Sequence, residues 1–242
     1  MQKNVTGQAE GHMDFGSSLE NPALTALTGP HADIAEVVGS ACRYPADVSP
    51  FFALPDDPSE ADWGDAAILL SDGSPGFHIA QRLRIPDKWH QVGRTEALQM
   101  VAPRKFGRPD REVVSLGERD VPAMLRLAEE TEPGGPFARR TVELGGHCGI
   151  WQQERLVAMA GYRFRGPGWT EISTVCTAPD QQRKGFASRV MRHVAAAIES
   201  TGDTPVLHVL INNSSQHMYS SMGFTVRQRF DAAIVRSPLW AS

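Results

Sequence analysis

The stretch from residue 170 to residue 211 constrains the fold more than any other. It opens with TEISTVCT, a run suited to a strand, and closes with VLHVLI, which is apolar almost throughout. Between them, Ala187, Val190, Met191, Val194, Ala195 and Ile198 recur at the spacing of one helix face. Two strands joined by one helix lie parallel, and the crossover is right-handed. The segment therefore predicts two adjacent parallel strands with an amphipathic helix packed over them. The continuous apolar character of VLHVLI fits a strand covered on both faces.

The elements around this unit read as a meander. Residues 113–116 suggest a short strand, followed by a helix from Asp120, with Pro122 in its first turn and Val121, Met124, Leu125 and Ala128 on one face. After the loop EPGGPF, the runs GGHCGIWQ, RLVAMAGYRF and TEISTVCT predict three successive antiparallel strands, the last two joined by a hairpin at RGPGW. Downstream, NNSSQHMYSSMGF predicts a short helix ending at Gly223, and FTVRQRF a returning strand. Toward the N-terminus, NPALTAL and HADIAEVVG suggest short helices, whereas AAILL, FHIAQRLRI and TEALQMVA suggest strands. PRKFGRPDRE, residues 103–112, has no apolar period and marks a boundary. The expected organisation is a disordered N-terminus over 1–18, a smaller α/β unit over 19–105, a linker at 106–111 and a main domain over 112–236.

Composition removes several function classes. The 28 acidic residues outnumber the 24 basic ones, which argues against a broad nucleic-acid surface and leaves room only for a local anion site. Cys42, Cys148 and Cys176 lie far apart with no CxxC spacing, so neither a zinc site nor a disulfide framework is indicated, and a reducing cytoplasm is the expected setting. His147, His208 and His217 share no metal-ligand spacing on one element. No run approaches the roughly 18–20 apolar residues that span a bilayer, and MQKNVTGQAEGHM lacks the apolar core of a leader. No metal, membrane or nucleic-acid partner is expected.

The turn QQRKGFAS, residues 181–188, carries the chemistry. The strand ends near Pro179 and the helix begins near Gly185, so the amides of residues 183–188 converge at a helix N-terminus, where N–H groups and the macrodipole favour an anion by roughly 0.3–1 kcal/mol per contact. Arg183 and Lys184 add attraction, and Gly185 lets the backbone approach closely. Taken alone, the turn fits a solvated basic loop equally well. Its surroundings decide: Q-x-x-G-x-A at Gln182, Gly185 and Ala187 follows a strand with Glu171 near its start, and precedes Asn212, Tyr219 and Gly223-Phe224. In this order the motifs, spread over residues 112–231, resemble the GNAT superfamily of acyl-CoA-dependent N-acyltransferases, whose phosphate loop reads Q/R-x-x-G-x-G/A.

The resemblance implies an α/β (α+β) fold: a central mixed, mostly antiparallel sheet in which a parallel strand pair splays, flanked by helices. The smaller N-terminal unit then becomes a degenerate copy of the same fold, as in glycine N-acyltransferase relatives, with a role in shaping the acceptor site or a homodimer contact. The resemblance places the pyrophosphate of acetyl-CoA on residues 183–188, including Phe186 and Ser188, and its pantetheine arm against Val175 and Thr177. The amide of Val175 or Cys176 would polarise the thioester carbonyl. Asn212 would contact the cofactor, a position equally suited to capping a helix. Tyr219 matches the general acid that protonates the departing thiolate, and Glu171 a base for the amine. A packed aromatic and an exposed strand charge are the competing readings of those two.

A base is needed because a lysine-like amine of pKa about 10.4 is neutral only on the order of one part in a thousand near pH 7, a cost of roughly 4–5 kcal/mol. Direct attack needs no enzyme nucleophile, so Cys176 reads as packing. The acidic stretch EETEP at 129–133 either borders a cationic acceptor or is a solvated helix end. The expected activity is transfer of acetyl from acetyl-CoA to a primary amine on a small molecule or peptide. The alternative is an acyl-CoA-binding regulator without turnover. A nucleotide-phosphate enzyme is disfavoured by the absence of GxxxxGK[ST].

Overall fold

The computed structural model describes residues 15–131 and 137–240. The expectation of disorder over 1–14, the loop EPGGPF up to Pro136, and the last residues of EETEP fall outside that range. Residues 15–18, also expected to be disordered, are built into the fold. Gly16–Leu19 form a 3-10 turn, Leu19 is fully buried, and Trp169 Nε1 donates to Ser18 Oγ at 2.9 Å.

Eleven strands and five α-helices alternate along the described chain: β1 Glu36–Val38, β2 Ala41–Arg43, β3 Phe52–Ala53, β4 Gly76–Ala80, β5 His90–Val101, β6 Val114–Ser115, β7 Cys148–Gln152, β8 Arg155–Gly166, β9 Trp169–Thr177, β10 Thr204–Leu210 and β11 Thr225–Arg236. The helices are α1 Pro22–Leu27, α2 Glu60–Leu69, α3 Val121–Thr131, α4 Phe186–Ser200 and α5 Gln216–Ser221. β1, β2 and β3 form a small sheet. The other eight form one sheet in the order β4-β11-β5-β10-β9-β8-β7-β6. Its neighbours pair antiparallel except β9 and β10, the parallel pair required by the strand–helix–strand unit.

α4 packs on one face of this sheet through Val190, Met191, Val194, Ala195 and Ile198, against Ile172, Leu207, Val209 and Met100. Each of the five side chains is at most 2% exposed, so the stripe read from the sequence is the buried face apart from Ala187 at its start, which is half-buried. α1 and the small sheet contribute to a separate cluster with Phe51, Phe164, Trp169 and Val206.

Several elements differ in type or extent from the sequence expectation. AAILL lies in α2, not in a strand. Ser59 and Asp62 form a capping box, with the Ser59 N–H donating to Asp62 Oδ2 at 2.7 Å and the Asp62 N–H to Ser59 Oγ at 3.3 Å. That nucleates a helix whose Trp63, Ala66, Ala67 and Leu70 bury one face, and the β-forming character of Ile68 and Leu69 is overridden. HADIAEVVG forms a 3-10 turn at Ala32–Ile34 followed by β1. In FHIAQRLRI the strand stops at Ala80. The helix expected from Asp120 begins at Val121 after a 3-10 turn, and the Asp120 carboxylate accepts the Gly117 N–H at 2.9 Å.

The sheet crosses the sequence division between 19–105 and 112–236. β5, from the N-terminal stretch, lies between β10 and β11 and pairs with both. The intervening 106–111 segment is packed on α4: Phe106 is buried, the Arg108 N–H donates to the Arg192 carbonyl at 2.8 Å, and Asp110 accepts two bonds from Arg189 at 2.7 and 2.9 Å.

Candidate active site

Only three rungs join β9 to β10: Thr204 with Trp169, Pro205 with Thr170 and Val206 with Glu171. Beyond them β9 continues against β8 as far as Thr177, and β10 continues against β5 as far as Leu210. Each strand keeps its outer partner while the inner edges separate, so backbone N–H and C=O groups face a gap. Such edges accept an extended chain as a further strand would. A cavity of about 1480 Å³ occupies the gap, lined by β9 from Ile172 to Thr177, by β10 from Leu207 to Leu210, and by the start of α4 and α5.

β9 is bulged where it faces the cavity. Met159 pairs with Cys176 and Gly161 with Ser173, so one residue too many lies on β9, and Thr174 takes φ +51°. A bulge turns backbone groups out of the ladder. The Thr177 hydroxyl, on the same wall, is buried without a hydrogen-bond partner.

At one end of the cavity lies the turn into α4. Arg183 and Gly185 both adopt the left-handed conformation, with φ +62° and +83°, and Gly185 is the N-cap. No backbone or side-chain acceptor faces the N–H groups of residues 183–188 among the described residues. They form an open row of donors at the positive end of a 15-residue helix. An added Cβ at Gly185 would meet nothing within 4 Å, so space beside the turn is open.

Tyr219, on α5, borders the middle of the cavity and packs against Phe224 with ring centroids 6.2 Å apart. Its hydroxyl makes no hydrogen bond among the described residues. Burial pushes its pKa up to about 12, with a smaller contribution from Cys176, so the phenol keeps its proton across the neutral range. Burial likewise pushes the Cys176 thiol up to about 11, which makes it a poor nucleophile.

Behind the opposite wall stands a polar chain that runs from the half-buried Arg227 and Glu20 to the buried Gln99 and Glu171. Arg227 donates to Glu20 Oε1 at 2.6 Å and to Gln99 Oε1 at 2.9 Å. This fixes the Gln99 amide, whose Nε2 donates to the Leu19 carbonyl at 3.0 Å and lies 3.1 Å from His208 Nε2. The Gln99 amide nitrogen can only donate, so His208 Nε2 accepts from it. Nδ1 lies 3.2 Å from Glu171 Oε1, off the line of a well-formed hydrogen bond. Glu171 is 1% exposed and its Oε2 has no hydrogen-bond partner.

The structure of a GNAT-family protein from Novosphingobium aromaticivorans matches with a TM-score of 0.82 at 32% sequence identity, covering 90% of this chain and 98% of its own. The chain belongs to the GNAT family. The model of the FR47-like protein family matches residues 147–232, which include β9, α4, β10 and α5. A GCN5-related N-acetyltransferase from Kribbella flavida shares the fold at 14% identity, with a TM-score of 0.55, over 90% of this chain and 96% of its own. A protein from Staphylococcus epidermidis does so at 10% identity and a TM-score of 0.57, over 84% and 94%. Curated proteins gave no match.

In this GNAT protein the cavity gathers most residues expected from the sequence. Val175, Cys176, Thr177, Gln182 and Arg183 line it, as do Gly185, Phe186, Ala187, Ser188, Asn212 and Tyr219. Two do not. Lys184 Nζ instead donates to Gln181 Oε1 at 2.9 Å, and Glu171 stands behind His208, which does line the wall. Asn212 is exposed and leaves helix-end bonding to its neighbour Asn213, whose Oδ1 accepts the Ser215 N–H at 2.8 Å.

Sequence reasoning missed Thr174, Arg163 and any site role for His208, because polar residues inside strands look like an exposed alternate face. It also missed Pro50, Pro75, Phe77 and Thr95, which bring the N-terminal stretch to the same cavity. His147 is buried, its two ring nitrogens unpartnered, and lies away from the cavity lining. Among the described residues no helix is long and apolar enough to cross a membrane, and no cluster of metal-ligating side chains forms.

Proposed function

We propose that this protein transfers an acetyl group from acetyl-CoA to a primary amine by direct attack. The observation that carries the reading is the convergence in one cavity of three features: the unpaired N–H row at 183–188, the parted edges of β9 and β10, and the free phenol of Tyr219. The row supplies fixed donors for a pyrophosphate without reorganisation. The edge of β9 offers amide pairing to the pantetheine arm, and N–H groups at the bulge near Val175 and Cys176 are the donors for the thioester oxygen.

In the chemical step the amine nitrogen forms a bond to the thioester carbon and the carbon–sulfur bond breaks. The sulfur leaves with the bonding pair and takes the Tyr219 proton. The amine proton passes through water in the cavity to the Glu171 carboxylate, whose Oε2 has no hydrogen-bond partner and can receive it, while His208, its Nε2 held by Gln99, positions that carboxylate. Proton transfers of this kind typically contribute 10²–10⁴-fold each. Cys176, with its thiol held protonated, takes no part.

Thiol release from acetyl-CoA over a panel of primary amines tests the proposal. Turnover that requires the amine supports it. Saturable acetyl-CoA binding with no thiol release across the panel would assign the cavity to an acyl-CoA-binding regulator instead.

A further inference from the structure

One cavity-lining side chain has no task in the reaction above. Arg163 on β8 is 7% exposed, yet its guanidinium makes no hydrogen bond and no ion pair among the described residues. It rests over the Phe51 ring, 4.9 Å from the centroid. Its five N–H donors therefore have no acceptor from the protein and stand at the wall of the cavity, where a bound molecule can supply one. Burial pushes its pKa below the usual arginine value, while the nearby negative charge of Glu171 acts in the opposite direction.

The placement of Arg163 says what kind of acceptor fits. β8 and β9 run antiparallel, and Arg163 falls in the irregularity between the Tyr162–Ile172 and Arg165–Thr170 pairs, where Glu171 on the neighbouring strand is close enough to act on its charge. No ion pair joins the two, and Glu171 Oε2 is itself unpartnered. An arginine at the cavity wall with no acceptor of its own is complementary to a carboxylate on the molecule that occupies the cavity. The N-terminal residues Pro50, Pro75 and Phe77 border the same cavity and offer apolar surface to the remainder of such a molecule.

We propose that the acceptor carries a carboxylate beside its amine, as a free α-amino acid does, and that Arg163 is the residue that reads that carboxylate. The inference rests on the transferase reading of the same cavity. A guanidinium fork pairs with a carboxylate through two parallel bonds, which sets the orientation of the amine as well as its affinity. A lysine in its place would supply charge without the fork.

The test compares matched acceptors with acetyl-CoA by thiol release: glycine against methylamine, phenylalanine against phenethylamine, and lysine against cadaverine, in wild type, Arg163→Gln and Arg163→Lys. Acetyl-CoA affinity and melting temperature are measured on each protein. In wild type the amino acid of at least one pair is favoured at least tenfold in kcat/KM. Arg163→Gln lowers that preference by about tenfold to a hundredfold, the effect of losing a charge-assisted bond, mainly through KM and with acetyl-CoA affinity intact. Arg163→Lys falls between. Turnover of the amines without preference for the carboxylate, or a preference that both folded variants keep, overturns the proposal. If none of the six compounds reacts while other primary amines do, it is likewise overturned. Acetyl-CoA binding without turnover of any amine overturns the transferase reading itself.

Discussion

Glu171 and Val206 form the last parallel rung between β9 and β10, and one residue further Ile172 and Leu207 both line the cavity. The carboxylate thus stands at the fork where the sheet divides, with His208, two residues beyond Val206, between it and the open space. Glu171→Gln keeps the volume and removes the charge. It should lower kcat/KM about 10²–10⁴-fold while leaving the affinity for acetyl-CoA within about twofold of wild type, the usual effect of removing a catalytic group that does not bind the donor. Steady-state thiol release and equilibrium binding check the two parts separately. An unchanged kcat/KM would remove the Glu171–His208 pair from the reaction.

Tyr219→Phe removes only the hydroxyl, which makes no hydrogen bond among the described residues. Stability should therefore change by less than about 1 kcal/mol, with kcat lowered about 10²–10⁴-fold. Because the phenol is held up at about 12, wild-type activity should show no descending limb assigned to Tyr219 below pH 11. A pH–rate profile of both proteins checks this, and full activity in the Phe variant would assign the proton to another donor.

Acid should weaken the fold before it protonates the carboxylates. Burial pushes the His31, His78 and His147 imidazoles down to about 4 from the ordinary value of 6.5. For groups depressed in the folded state, the unfolded chain binds protons first. Their stabilisation is complete above pH 6.5 and is lost as the pH falls toward 4, at about 1.4 kcal/mol per pH unit for each imidazole. Urea midpoints across this window should fall steeply. A flat profile between pH 6.5 and 4.5 contradicts the burial of these rings as neutral groups.

The 106–111 segment is a packed part of the domain, and Gly107 reports on that. A Cβ at Gly107 would lie 2.4 Å from the Ala196 Cα on α4, a backbone atom that cannot swing aside. Gly107→Ala should destabilise by about 1–3 kcal/mol without abolishing acetyl-CoA binding, as read by denaturant unfolding and titration. Unchanged stability would mean that the segment separates from α4 at little cost.

What the sequence revealed follows from how locally each feature is determined. The α4 stripe and the turn around Gly185 were readable because helix periodicity and a left-handed N-cap restrict residue type within a few positions. Tyr219 and Asn212 stood out only through the resemblance of their spacing to a family pattern, and both line the cavity. The insertion of β5 between β10 and β11 was not, since pairing Gln99 with both His208 and Gln228 joins residues more than 100 positions apart, and no local pattern encodes that register. α2 was hidden because AAILL looks like a strand when the Ser59–Asp62 capping box before it is overlooked. Arg163 and His208 were hidden for a related reason: a charged residue within a strand normally marks a solvent face, and only the assembled sheet turns that face toward a cavity.

Whether acyl-CoA binds with its phosphates on the N–H row of residues 183–188 is read by acetyl-CoA titration of wild type, Gly185→Asp and Gly185→Asn. Both substitutions share the backbone strain of φ +83°, and the Cβ of each points into open space, so they differ only in charge at the anion site. Wild type should bind saturably and one-to-one, Gly185→Asn more weakly, and Gly185→Asp with a further loss of at least about tenfold, the two variants melting at similar temperatures. Equal acetyl-CoA affinity in Gly185→Asp and wild type would contradict that placement of the phosphates.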